Sequence, residues 1–287
     1  MRVVVTGGGG IVGSALAREK PEKVDLVALA HRDLDVTDRA RTLDALARLR
    51  PDWVVHAAAM TDVDGCEGDP DRAFRVNWLG TANVVDGAQR AGAATLCLSS
   101  DYVFDGTQPE PYVEHDRPNP ASVYGRSKRF AECEALQRGE RVHVVRSQWI
   151  FGAGGRNFVD TILKAAHAGT PLRVVDDQRG CPTWSRHLAR GLWRLMETDP
   201  GGGIWHLSAG GAASWCEFAR AIVQAAGLAV PVVPCATADV PRPARRPANG
   251  VLRNRRLELS LGDFMPSWEE GLRGYLSELL PAGGGGA

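Results

Sequence analysis

The sequence predicts an α/β protein: a doubly wound parallel sheet with a smaller C-terminal lobe. Three observations predict it. Short β-branched runs alternate with helical stretches through the first half of the chain, a glycine-rich turn follows the first of these runs, and the alternation loosens after about residue 150. A chain of 287 residues is long enough for one large core or for two lobes sharing a cleft.

Each element follows from its own stretch. Strand-like runs are RVVVT (2–6), VDLVALA (24–30), DWVVHAA (52–58), ATLCLSS (94–100) and RVHVVRS (141–147). They are too continuously apolar for a sheet with one wet face, so helices should cover both faces. Helical spacing fills the gaps, near 11–19, 37–49, 70–91 and 120–138. Right-handed crossovers then put any ligand at the carboxyl ends of the strands. Beyond residue 150, helices are expected at 156–168, 185–197 and from Ser214, with a short strand at 204–208. The segment DVPRPARRPANG (239–250) has too many prolines for a helix or a central strand. An amphipathic helix over 267–280 closes the pattern; its Trp268, Leu272 and Leu276 pack either on the protein's own core or on a second copy in a homodimer. The resulting division is 1–150 for the core, with later segments returning to it, 151–280 mainly for the second lobe, and a disordered tail at 281–287.

Composition narrows the function classes. Hydrophobic residues make up 44% and charged residues 24%, and the formal net charge is zero. No basic face argues for nucleic acid, and no run approaches the roughly 20 apolar residues of a membrane span. MRVVVTGGGG enters directly into a strand, with no cleavable apolar leader. The six cysteines, at 66, 97, 133, 181, 216 and 235, form no CxxC. They read as reduced thiols of a cytoplasmic protein, and no metal site is expected.

Six features of the sequence bear on chemistry. In VVVTGGGGIVGSAL, Gly7, Gly10 and Gly13 lie between a strand and a helix, the arrangement that brings backbone N–H groups onto a pyrophosphate; a plain connecting turn is the alternative. Such a turn opening a βαβ chain makes the sheet Rossmann-type. The second strand ends in LVALAHRDLD, with Ala30 where an acid would hold a ribose 2′-hydroxyl. Arg32 could instead meet a 2′-phosphate, or be a solvated arginine; Asp35 and Thr37 sit near the adenine or cap the next helix. HAAAMTDVDGCE follows the third strand: small Ala57, Ala58 and Ala59 permit close approach, and Asp62 and Asp64 organise the loop. Asn77 is polar inside an amphipathic helix, as a core hydrogen-bonding residue or part of a proton relay. The fourth strand ends in Ser99 and Ser100, hydroxyls placed to meet a carbonyl oxygen or to cap a turn. Finally, Tyr124 and Lys128 stand one helical turn apart. A neighbouring cation lowers a phenol's pKa from about 10, which would let Tyr124 exchange a proton near neutral pH.

With this set in place the chain resembles the extended short-chain dehydrogenases/reductases, and within them the dTDP-4-dehydrorhamnose reductase family. The resemblance runs in order through TGGGGIVG, HAAAMTDVDGCE, SSDYVFDG, VYGRSK, RSQWIFG, VVDDQRGCPT, ASWCEFA and RPANGVL. It implies NADPH, with NADH as an alternative, and a nucleotide-linked 4-keto-6-deoxysugar as substrate. It further implies that Tyr124 is the proton donor, that Lys128 holds the ribose and lowers the Tyr124 pKa, and that Ser100 bonds the reacting oxygen. Asp101, Tyr102 and Trp149 match positions lining the sugar site. Gly7, Gly10, Ile11, Val12, Gly13, Arg32, Asp35, Val36, Ala57, Ala58, Ala59 and Thr61 match cofactor contacts, together with Tyr124 and Lys128. Ala30, Phe151 and Gly250 depart from the family pattern. Ser100 is followed by Asp101 and Tyr102, without the Glu of the related dehydratases. A reductase for another deoxysugar, or a non-catalytic subunit resembling the methionine adenosyltransferase β subunit, are the alternatives.

Overall fold

The computed structural model describes residues 1–280; the expected tail at 281–287 lies outside the described residues. The strands are β1 (Arg2–Thr6), β2 (Asp25–Leu29), β3 (Trp53–His56), β4 (Ala94–Ser100), β5 (Val142–Ser147), β6 (Ile150–Phe151), β7 (Leu172–Val175), β8 (Arg179–Gly180), β9 (Thr183–Trp184), β10 (Gly203–His206), β11 (Ala213–Ser214) and β12 (Val232–Cys235). Six of them form one sheet in the order β10-β5-β4-β3-β1-β2, every pairing parallel. The chain runs from β1 out to β2 and then back past β1 to β3. That reversal opens a crevice beyond the carboxyl ends of β1 and β3.

The helices are α1 (Ile11–Arg18), α2 (Arg39–Leu49), α3 (Val63–Gly68), α4 (Pro70–Phe74), α5 (Gly80–Arg90), α6 (Val123–Arg138), α7 (Phe158–His167), α8 (Ser185–Thr198), α9 (Trp215–Ala225), α10 (Arg255–Ser260) and α11 (Trp268–Leu279). In β1, Val3 and Val5 point to one face and Val4 to the other, and all three are fully buried. On the Val3 side, Leu16 of α1 and Leu188, Leu192 and Leu195 of α8 form the core with Trp205 of β10. On the Val4 side, Leu46 of α2 and Val84 of α5 cover the sheet, and α6 extends that layer over Val144. Thus α8 and β10, both beyond residue 150, belong to the first core. A second core gathers α7, α9 and α11 around Phe151, Phe218, Ile222 and Tyr275. Trp268, Leu272 and Leu276 are buried in it, so the last helix packs on the protein's own core.

Three elements differ from the pattern read in the sequence. The single helix expected over 70–91 is α4 and α5 joined by a π turn at Arg75–Leu79. Asn77 explains the break: its side chain accepts from Met60 N at 2.8 Å and donates to Met60 O at 3.1 Å and Ser127 Oγ at 2.9 Å. Those bonds hold the widened turn against the loop after β3, so Asn77 is a hydrogen-bonding residue of the core. The helix expected from 120 begins at Val123, because Ser122 caps it by accepting from Gly125 N. The loop expected at 62–68 is α3, capped by Asp62.

Candidate active site

Two cavities bear on the predicted site residues. The first, about 620 Å³, is lined by Gly7, Gly9 and Gly10, by Ala30 to Arg32, by Asp35 and Val36, and by Ala57 to Ala59. Leu34, Met60, Arg72 and Val76 complete its wall; Met60 belongs to the HAAAMTDVDGCE motif, and nothing in their sequence context singled out the other three. The cradle depends on missing side chains. Gly7 has φ +74°, and a Cβ there would lie 2.6 Å from Ala58 N; one on Gly13 would lie 2.6 Å from Gly7 O. Gly13 therefore serves close helix–strand packing and does not itself face the cavity. Val12 is likewise turned into the first core, and Ile11 and Thr61 do not line the cavity.

The electrostatics of this cavity suit an anion. It opens at Gly10, the N-cap of α1, with no acidic residue in the helix's first turn. Arg32 stands at the rim with its side chain 90% exposed. Of the two roles read for Asp35, the cap of α2 falls to Asp38, which accepts from Arg41 N at 3.0 Å, while Asp35 lines the cavity. Asp35 accepts from the Thr37 backbone and hydroxyl, which hold its carboxyl below the usual range.

At the end of β4 the predicted catalytic residues converge. Tyr124 packs with Met60 and Tyr102, and the two tyrosine rings meet edge to face at 5.4 Å. Lys128, 4% exposed, donates from Nζ to Leu98 O at 2.7 Å. Burial lowers its pKa, opposed by the negative character of Cys97 and Glu132 nearby. Tyr124 departs from the sequence expectation. Burial pushes its phenol up, the Ser100 hydroxyl pulls it down, and Lys128 is not among the leading influences on it. The ammonium is engaged by the Leu98 carbonyl instead.

Ser100 departs too: its Oγ donates to Asp101 Oδ1 at 2.8 Å and accepts from Tyr102 N at 3.2 Å, so its one proton is already committed. Asp101 is 2% exposed, and burial raises its carboxyl pKa to about 7. Behind these residues, buried Arg146 makes a two-pronged bond to buried Glu132, at 2.7 and 2.8 Å, and Ser99 donates to the same carboxylate at 2.7 Å. That pair ties β5 and β4 to the helix carrying Tyr124 and Lys128.

The second cavity, about 1100 Å³, lies on the other side of Tyr102. Arg242, Arg245 and Arg246 face it, as do the aromatic rings of Phe158 and Trp215. Arg246 grips Asp64 of α3 with both terminal nitrogens, at 3.1 and 2.8 Å, and Asp64 also accepts from Ala244 N. Asp64 thus anchors the proline-rich segment across the site and does not merely order its own loop. Trp149 stacks on Trp215, ring centres 3.5 Å apart and planes at 9°, with a backbone φ of +46° that bulky residues seldom adopt. The three arginines could have been suspected from PRPARRPAN, but not their destination.

Among the described residues no group of three or more His, Cys, Asp or Glu is placed to hold a metal, and no helix is long and apolar enough to cross a membrane. A model of the RmlD substrate binding domain matches residues 1–280. The spore coat polysaccharide biosynthesis protein SpsK of Bacillus subtilis is 37% identical over 96% of this chain and 97% of its own. A dTDP-4-dehydrorhamnose reductase of Sinorhizobium fredii is 36% identical over 99% of both. The crystal structure of the dTDP-4-dehydrorhamnose reductase of Bacillus anthracis, solved in complex with NADP, superposes with a TM-score of 0.94 at 35% identity, over 96% of this chain and 99% of the other. By the family match and by these relatives, the chain belongs to the RmlD family of extended short-chain dehydrogenases/reductases, the family of dTDP-4-dehydrorhamnose reductases.

Proposed function

We propose that the protein reduces the C4 ketone of dTDP-4-dehydro-L-rhamnose to the alcohol of dTDP-L-rhamnose, with NADPH as the reductant. One observation carries the reading: Tyr124, one helical turn from Lys128, packs between Met60 of the glycine-lined cavity and Tyr102, which adjoins Arg246 of the arginine-lined one. When bound, NADPH supplies the hydride. The chain's own residues do the rest. The first cavity takes the dinucleotide, its pyrophosphate at the start of α1 and its 2′-phosphate beside Arg32. The second takes the nucleotide half of the substrate, with arginines for the diphosphate and aromatic faces for the base.

Tyr124 gives its phenolic proton to the ketone oxygen as the carbonyl carbon becomes tetrahedral. A protonated phenol, which its burial favours, is the form this step needs. Lys128 spends one N–H on Leu98 O and has two left for ribose hydroxyls and for the phenolate left behind. Ser100 bonds the same oxygen as charge develops on it. Asp101, Tyr102 and Trp149 surround the sugar.

The test mixes the purified protein with dTDP-4-dehydro-L-rhamnose and follows NADPH oxidation, with Tyr124→Phe alongside. Wild-type turnover is expected, and the variant should lose about 10²–10⁴ in kcat, the usual share of general acid catalysis. A variant turning over like the wild type would remove Tyr124 from this role.

A further inference from the structure

The Ser100 hydroxyl poses a problem for the reaction just described. It has one proton, and it donates that proton in a hydrogen bond to the Asp101 carboxylate, 2.8 Å away. A serine so committed accepts hydrogen bonds from a reacting oxygen's proton but offers none to the oxygen itself. We propose that Asp101 is a positioning residue that sets the direction of the Ser100 hydroxyl: ionised, it takes the serine proton; protonated, it donates to Ser100 Oγ and releases that proton toward the oxygen being reduced. The inference rests on the reductase reading for its substrate, and on the Ser100–Asp101 geometry for its switch.

The surroundings of Asp101 let both forms exist. Its carboxyl is 2% exposed and has no cationic partner among the described residues. Gly250 passes close by: a Cβ there would come 2.5 Å from Asp101 Oδ2 and 3.4 Å from Gln148 Oε1. Gln148 is buried, and neither polar atom of its carboxamide has a hydrogen-bond partner. A carboxamide can give N–H to a carboxylate or accept O–H from a carboxylic acid by a simple flip. Asp101 and this unpartnered carboxamide flank the same point beside Gly250.

In the protonated state the Ser100 oxygen is fully used. It accepts from Tyr102 N and from Asp101, and its own O–H is free to point at the substrate. The other groups facing Asp101 are Tyr102 beside it, Tyr124 on α6 and Cys181 ahead of β9, all held neutral at physiological pH by burial. The Arg246–Asp64 pair lies beyond Tyr102, and Lys128 one turn along α6. With the carboxyl pKa raised to about 7 by burial, the proton is lost within the working range of pH.

Two measurements test this. The first follows Asp101 in the intact protein labelled with carboxyl-¹³C aspartate, assigned by its absence in Asp101→Asn. Titration near neutrality is expected, and Ser100→Ala should move the midpoint upward, because the ionised form loses a donor. A carboxyl ionised throughout from about pH 5 to about pH 9, or a midpoint indifferent to Ser100→Ala, overturns the proposal. The second measures single-turnover reduction of dTDP-4-dehydro-L-rhamnose against pH. The wild-type rate should fall about tenfold from about pH 6 to about pH 8, as one group of pKa near 7 requires. Asp101→Asn, whose amide always donates to Ser100, should keep measurable turnover and flatten this limb. An Asn variant that falls as the wild type does overturns the proposal. If no reduction occurs at any pH, the reductase reading fails, and the carboxyl titration alone decides whether the Ser100–Asp101 switch exists.

Discussion

Arg32 shows how far single residues speak for themselves. Ala30 in place of an acid, with Arg32 two positions on, left room for a 2′-phosphate or for a solvated arginine, and the structure puts both residues on the wall of the first cavity. An exposed arginine released from no stronger partner than Asp33, 3.8 Å away, is free to turn to that phosphate. A hydrogen bond to a charged group contributes about 1.5–3 kcal/mol, so Arg32→Ala should lower kcat/KM with NADPH by about tenfold or more and leave NADH nearly unaffected. Steady-state kinetics with the two cofactors measures this directly. The Tyr124–Lys128 spacing was equally legible, since a helix fixes it. The direction of the Ser100 proton was not, because it depends on an adjacent carboxylate whose charge state is set by burial. Nor was the Lys128 bond to Leu98 O, which joins a helix to a strand thirty residues earlier.

Elements were legible where periodicity ran unbroken and misread where a side chain overrode it. The strands β1 to β5 fall within a residue or two of the runs that announced them. The stretch 70–90 keeps helical spacing, yet Asn77 recruits the backbone of Met60 and inserts a wider turn. The strand RVHVVRS hid a different surprise. An arginine near a strand end reads as solvated, but Arg146 is fully buried because Glu132, fourteen residues earlier on α6, meets it. Removing one member of a buried pair strands the other, at a cost of about 3–5 kcal/mol. Arg146→Met should therefore lower stability to urea by roughly that amount, and the paired change Arg146→Met with Glu132→Leu should restore much of it. A double-variant loss equal to the sum of the Arg146→Met and Glu132→Leu losses would show that the two side chains are not coupled.

At the scale of the molecule, chain order and spatial order part company. The first core takes α8 and β10 from beyond residue 150, between segments that build the second. Periodicity identifies such elements but does not say which core receives them. The Asp64–Arg246 pair illustrates the same limit, joining residues 182 positions apart. Residues 240–250 carry no helix and no strand beyond one bridge at Asn249, as their prolines require. What holds the segment is its polar anchorage, above all to Asp64. Asp64→Asn keeps the shape and removes the charge, so the three arginines beside the second cavity should lose their fixed placement. The expected outcome is a KM for the sugar nucleotide raised about tenfold, on the order of 1.4 kcal/mol, with the KM for NADPH unchanged. A variant with both constants unaltered would show that the pair does not organise substrate binding.

The stacked indoles of Trp149 and Trp215 have a spectroscopic consequence. Trp149 lies two residues beyond the end of β5, while Trp215 opens α9 of the second core, and their rings stack nearly parallel with centres 3.5 Å apart. At that separation their excited states are shared, and the pair absorbs as a coupled chromophore with a chirality fixed by the stacking angle. The protein thus carries an unlabelled optical gauge between its two cores, and any shift of α9 relative to the main sheet is written into its near-ultraviolet circular dichroism.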